Sequence, residues 1–236
     1  MTGLGLGAAL PNLIALCAEA VEERRRGTAI SIMYCGVPLG GAIAAVVGML
    51  GGENWQTVFI VGGVAPLLVA PLLIFALPES RDFREQHQGA APVRESTVQA
   101  LFGGGRAGAT LALWVSYFFT LTVMYMLLNW LPSLLLEQGF SKPQAGTIQM
   151  LFNIGGAIGS LLGGLLLDRR GRTGVVLFAY GGVLASLAGL GFASGMLAMA
   201  IAGFAAGLFI IAAQLVLYAL AVSYTHLRAH ETREDL

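Results

Sequence analysis

Charge is the property this sequence has least of. Only 11% of its 236 residues are charged, where a soluble domain carries roughly 25%. With 56% hydrophobic residues and a mean hydropathy of +0.77, the chain cannot cover itself in water, which excludes a soluble globular domain. The same apolar content excludes a disordered chain. Thirteen Lys and Arg balance thirteen Asp and Glu, so there is no basic face for nucleic acid. Cysteine is scarce as well: Cys17 and Cys35 both sit inside apolar runs, which gives neither a disulfide framework nor metal-ligand spacing. Of the three histidines, His87 falls in a polar stretch and His226 and His230 near the C-terminus. No histidine pair, metal cluster or nucleophile beside a base lies within an apolar run. Gly3, Gly5 and Gly7 belong to an apolar run rather than a strand–helix turn. The sequence therefore predicts no enzyme, no metal site and no cofactor.

Long apolar runs are abundant. A bilayer core of roughly 30 Å needs about 20 apolar residues per spanning helix. Seven stretches meet or nearly meet this: Thr2–Ala20, Thr28–Leu50, Trp55–Leu77, Thr110–Leu136, Ala145–Leu167, Gly174–Ser194 and Met196–Val222. The fold class is all-α membrane protein. Residues 78–109 form the one long polar connector, with Pro78, Pro92 and Gly103–Gly105. It divides residues 1–77 (three helices) from residues 110–222 (four helices). After Val222 the composition turns abruptly polar, and residues 223–236 read as a non-native tail.

The cations orient the chain. Arg24–Arg26 follow the first run, Arg81, Arg84, Arg94 and Arg106 lie in the long connector, Arg169, Arg170 and Arg172 follow the fifth run, and Arg228 and Arg233 follow the seventh. The intervening connectors hold Lys142 alone. Because cytoplasmic loops collect Lys and Arg, the long connector is expected in the cytoplasm and the N-terminus outside. An outside N-terminus with no positive leader region suggests a chain that starts inside a longer protein.

Polar residues inside apolar runs are costly in lipid and tend to face a bundle interior. Asn12 follows Pro11, and Glu19 lies seven residues beyond it on the same helix face. Glu19 suits an interfacial carboxylate paired with Arg24–Arg26. Ser31, Tyr34 and Pro38 share one face of the second run, and Thr122, Tyr125 and Asn129 repeat that spacing in the fourth. Gln149 and Asn153 are one turn apart in the fifth, as are Gln214 and Tyr218 in the seventh. One such stripe alone serves as interhelical glue. Four together suit a central cavity for an aromatic ligand, with tyrosine faces for the ring and amides for its hydroxyls. No Lys or Arg lies mid-run, so an anion would be left to a helix terminus or broken backbone or to Arg26. Small residues recur every four positions at Gly36, Gly40, Ala44 and Gly48 and at Gly155, Gly159 and Gly163, two stripes that permit close helix approach.

Gly164-Leu-Leu-Leu-Asp168-Arg169-Arg170-Gly171-Arg172 is a compact turn between two helices on the cytoplasmic side. Asp168 is placed to cap or pair across it, and Arg169 and Arg172 to reach helix ends and lipid phosphate. The segment resembles the loop signature G-x-x-x-D-R-x-G-R of the major facilitator superfamily. Further residues sharpen the resemblance. They are Pro11-Asn12, Arg26-Gly-Thr through Tyr34-Cys-Gly-Val-Pro38, Leu77-Pro-Glu-Ser80, Tyr125-Met-Leu-Leu-Asn129-Trp-Leu-Pro132 and Gln214-Leu-Val-Leu-Tyr218. Together they are similar to the aromatic acid:proton symporter family of that superfamily, from about Thr2 to Ala221.

The resemblance implies a truncated six-plus-six fold, with the seven helices here as the fourth to tenth of twelve. The family's first-helix acidic motif and its first loop signature would lie upstream of Met1. It further implies proton symport of an aromatic carboxylate of the hydroxyphenylpropionate type, by alternating access, in a bacterial inner membrane, by a protein monomeric at full length. The partners expected are the acid, protons and lipid. Substrate contacts are expected from Asn12, Tyr34, Tyr125, Asn129, Gln149, Asn153, Gln214 and Tyr218. Coupling or gating roles are expected from Glu19, Arg26, Asp168, Arg169 and Arg172. A transporter of another solute, such as a sugar, another organic acid or a drug, shares this fold. A membrane sensor or enzyme is the competing class.

Overall fold

The computed structural model describes residues 12–14, 16–17, 21–22, 25–50, 56–76, 102–103, 107–169 and 172–234. Among the described residues every long element is a helix: α1 (Arg26–Tyr34), α2 (Gly36–Leu50), α3 (Gln56–Ala76), α4 (Ala107–Glu137), α5 (Lys142–Arg169), α6 (Arg172–Phe192) and α7 (Met196–Glu234). Five spans among them are long and apolar enough to cross a membrane: Gly27–Leu50, Ala107–Glu137, Lys142–Leu166, Thr173–Phe192 and Met196–Tyr218. Phe59–Leu72 in α3 is a shorter apolar stretch. Most of the first expected helix, Thr2–Ala20, lies outside the described residues, as does nearly all of the polar connector.

Local chemistry sets the element ends. α1 and α2 form one continuous span that is pinched at Cys35. Pro38 has no N–H to give to the Tyr34 carbonyl four residues back, which loosens one turn. The flanking bonds persist, from Cys35 N to Ser31 O at 3.0 Å and from Leu39 N to Cys35 O at 3.1 Å. α4 closes in a Schellman turn, with Phe140 N donating to Leu135 O at 3.1 Å and Gly139 N to Leu136 O at 3.0 Å. Gly139 takes the left-handed φ of 89° that this turn requires. Ser141 then opens α5 with a capping box, its N–H donating to Gln144 Oε1 at 2.8 Å. α5 thus begins three residues ahead of the expected apolar run, because its cap, not apolarity, sets its start; α4 also begins three residues early. α7 continues past the expected stop at Val222 to Glu234, since the residues after Val222 include good helix formers.

α5 is the hub of the packing. It packs most extensively against α7 and also contacts α1, α2 and α4. α6 packs on α7. Phe152, Ile148, Ile210, Val216 and Leu135 are the largest fully buried side chains. Gly155 and Gly159 of α5 face the backbone carbonyls of Phe204 and Leu208 so closely that a methyl group on either glycine would strike them. Gly207 of α7 meets the Phe152 carbonyl in the same way. Buried polar contacts add stitches: Cys35 Sγ lies 2.8 Å from Ser160 Oγ, and Thr120 Oγ1 lies 2.7 Å from the Tyr180 hydroxyl. Outward-facing side chains are large and apolar, with Phe192 90% and Phe75 89% exposed, as befits helices whose solvent is lipid.

The two small-residue stripes part company here. Gly155 and Gly159 are packed against α7, as the spacing suggested. Gly36, Gly40 and Gly48 have nothing within 4 Å of an added Cβ, and with Ala44 they lie on the exposed side of α2. α2 meets α5 through other residues, with Gly41 against the Asn153 amide and Met49 against Gly146.

Candidate functional site

A cavity of about 390 Å³ opens where α1, α2, α4, α5 and α7 converge, within the range of roughly 300–1,000 Å³ of small-molecule sites. The loosened turn before Pro38 places Tyr34 at its wall, and Pro38 and Gly41 carry that wall along α2. α4 contributes Tyr117, Leu121, Met124, Tyr125 and Leu128, spaced as one helical face. α5 supplies Phe152, Asn153 and Gly156, and α7 supplies Ile211, Gln214 and Tyr218.

Three tyrosines form the aromatic side of the cavity. The Tyr34 and Tyr218 rings are 5.9 Å apart at 56°, and Tyr117 meets Tyr218 edge-on at 5.3 Å and 74°. These offsets are the favourable ones for aromatic pairs, and they leave ring surface for a further aromatic partner. Gln214 is 3% exposed, and its Oε1 has no partner among the described residues. A buried acceptor left unpaired costs about 1–3 kcal/mol, so this oxygen can accept a hydrogen bond from a donor that enters beside it. Asn153 Nδ2 donates to the Gln149 carbonyl at 2.9 Å, which fixes the amide against Gly41.

Of the eight residues expected at a substrate site, the cavity gathers Tyr34, Tyr125, Asn153, Gln214 and Tyr218. Gln149, one turn from Asn153, opens instead into a neighbouring hollow. Asn129 is exposed and returns its Nδ2 to the Tyr125 carbonyl at 2.8 Å. Thr122, on the same stripe, bonds the Phe118 carbonyl at 2.8 Å. Asn12 is exposed and lies away from the cavity lining. Ser31 is buried and bonds the Gly27 carbonyl at 2.7 Å beside Gly164. Glu19 and the side chains of Arg26, Asp168, Arg169 and Arg172 lie outside the described residues. Tyr117 was not among the expected residues. Its signal was present in the sequence, two turns ahead of Tyr125 on the same face. The described lining contains no Lys or Arg, so it offers ring and hydroxyl recognition and leaves a carboxylate to other groups.

Comparison with known proteins extends these observations. The family model described as "Major Facilitator Superfamily" matches residues 1–230. The chain is 54% identical to the 3-(3-hydroxy-phenyl)propionate transporter of Escherichia coli (strain K12), over 94% of this chain and 54% of that protein. It is 35% identical to a gallate transporter of Pseudomonas putida over 95% of this chain and 56% of that one. It is 34% identical to a 4-hydroxybenzoate transporter of Pseudomonas aeruginosa over 72% of this chain and 44% of that one. The chain spans about half the length of the curated relatives it matches. No solved structure matches.

Proposed function

The chain belongs to the Major Facilitator Superfamily, a multi-pass membrane family of transporters and not of enzymes, and from that premise we propose that it serves the uptake of a hydroxylated aromatic carboxylate. The observation that carries the proposal is the cavity itself. Tyr34, Tyr117 and Tyr218 offer ring faces, and the unpaired Gln214 Oε1 sits among them. A phenolic hydroxyl supplies the missing donor, while the ring fills the space beside the tyrosines. Relatives named for 3-(3-hydroxyphenyl)propionate, gallate and 4-hydroxybenzoate support this ligand class, since each of those acids carries both a ring hydroxyl and a carboxylate.

The proposed mechanism is alternating access with proton symport, in a bacterial inner membrane, by a full-length protein acting as a monomer. The cavity lies between the α1–α2 wall and the α4–α5–α7 wall, as a midplane site between rocking halves does. Tyr34, Tyr125, Asn153, Gln214 and Tyr218 act as substrate contacts, with Tyr117 added. Coupling and gating by Glu19, Arg26, Asp168, Arg169 and Arg172 rest on the family resemblance.

Uptake of radiolabelled 3-(3-hydroxyphenyl)propionate by cells producing the gene's protein tests the proposal. Excess unlabelled 3-(3-hydroxyphenyl)propionate is expected to suppress uptake strongly, benzoate weakly and a hexose not at all. Equal suppression by the hexose, or no uptake above empty cells, would overturn the substrate assignment.

A further inference from the structure

A second hollow of about 590 Å³ lies one turn further along the same side of α5, walled by Met49 of α2, Leu136 of α4 and Lys142, Gly146 and Gln149 of α5. Lys142 and Gln149 are seven residues apart, so both fall on one helix face, about 10.5 Å apart along the axis. Lys142 is exposed and has no ion-pair partner among the described residues. Gln149 is 9% exposed, and its Oε1 has no hydrogen-bond partner among them. The hollow thus offers a cation at one end and an unpaired buried acceptor at the other.

Two further features make this a built site. The Schellman turn at Gly139 and the capping box of Ser141 and Gln144 fix the backbone that carries Lys142. The start of a 28-residue helix adds its positive end to the same place. Lys142 is also the single cation in the connectors that the charge alternation assigns to the outer face. Outer loops gain nothing from a cation in orienting the chain, so this lysine calls for another use.

We propose that this hollow is an outer docking site for a hydroxyaryl carboxylate, distinct from the tyrosine cavity. Lys142 Nζ holds the carboxylate, and Gln149 Oε1 accepts the ring hydroxyl. The two hollows share the turn from Gln149 to Asn153, whose Nδ2 donates to the Gln149 carbonyl, so a ligand released from Lys142 meets the tyrosine cavity one turn onward. This outer site rests on the functional reading above and supplies the cation that the inner cavity lacks.

Binding of radiolabelled 3-(3-hydroxyphenyl)propionate to the full chain in nanodiscs tests the proposal, with the cavity variant Gln214→Leu used to weaken the inner site. The unaltered chain is expected to bind in a tight and a weak phase, and Gln214→Leu to retain the weak one. In that background Lys142→Gln is expected to weaken the residual binding by about fivefold, the upper end for an exposed ion pair, and Lys142→Arg to preserve it. Gln149→Leu is expected to weaken the hydroxylated acid but not 3-phenylpropionate. Residual binding indifferent to Lys142→Gln, or abolished outright by Gln214→Leu, would overturn the outer site alone. No binding of any aromatic acid by the unaltered chain would overturn the functional reading and the outer site together. Size-exclusion profiles of each variant separate a lost site from a lost fold.

Discussion

Helix α5 presents two contrasting sides. Toward α7 it is closed: Gly155 and Gly159 rest on the Phe204 and Leu208 carbonyls, and no side chain intervenes. Toward α2 and α4 it is hollow, and the tyrosine cavity and the outer cleft open along it. Glycine is used on both sides, to opposite ends. On the closed side it brings backbones together. On the hollow side Gly41 and Gly146 admit the Asn153 amide and the Met49 side chain, which keeps polar and adaptable groups beside open space. The contrast is what the proposed alternating access needs, one interface holding a unit together and another free to open.

The largest effect is expected at Gly159, on the closed side. Gly159→Leu drives four carbons into the Leu208 backbone, which has no room to yield. Overpacking of this kind costs about 1–3 kcal/mol or more, and the monodisperse fraction in fluorescence-detected size exclusion should fall to a minor share. Gly40→Leu, on the open stripe of α2, should leave that profile unchanged. A drop in both variants would mean that the stripes are equivalent and that the closed side is not special.

The next largest effect is expected on the hollow side. Gln214→Leu removes the unpaired buried acceptor beside the tyrosines. Preference for 3-(3-hydroxyphenyl)propionate over 3-phenylpropionate should fall about tenfold, corresponding to the 1–3 kcal/mol of an unmet buried polar group, in competition binding. Tyr117→Phe keeps the ring but deletes a hydroxyl of the cavity lining. A loss of about threefold in affinity is expected, the size of one net hydrogen bond, with folding intact. The smallest effect belongs to Asn129→Ala. This side chain is satisfied by its own helix, and the change should stay within about 0.5 kcal/mol, as at an ordinary surface position. A larger loss of uptake at Asn129 than at Gln214 would reverse the assignment of faces.

Much of this was legible in the residues. Long apolar runs and the alternation of cations gave the helices and their expected orientation, and tyrosines and amides recurring at helical spacing marked α1, α4, α5 and α7 as cavity walls. The rotation of α4 was not legible. Thr122, Tyr125 and Asn129 form as good a stripe as Tyr117, Leu121 and Tyr125, and in lipid neither face is required to be polar. A hydroxyl or amide can satisfy itself on the carbonyl four residues back, as Thr122 and Asn129 do, so polarity alone does not point inward. The glycine stripes were ambiguous for a related reason. Spacing shows that a close approach is permitted, but only the partner helix shows that it is made: Gly159 has one and Gly40 has none.

The most direct test of a ligand on the hollow side of α5 is site-directed protection. Leu121→Cys places a thiol in the tyrosine cavity and Trp114→Cys places one on the exposed face of α4, with Cys17 and Cys35 replaced by alanine. At ligand tenfold above its Kd, 3-(3-hydroxyphenyl)propionate should slow maleimide labelling at position 121 by about tenfold, in proportion to occupancy, and leave position 114 unchanged. Equal labelling at position 121 with and without the acid, in protein shown to bind it, would contradict the account.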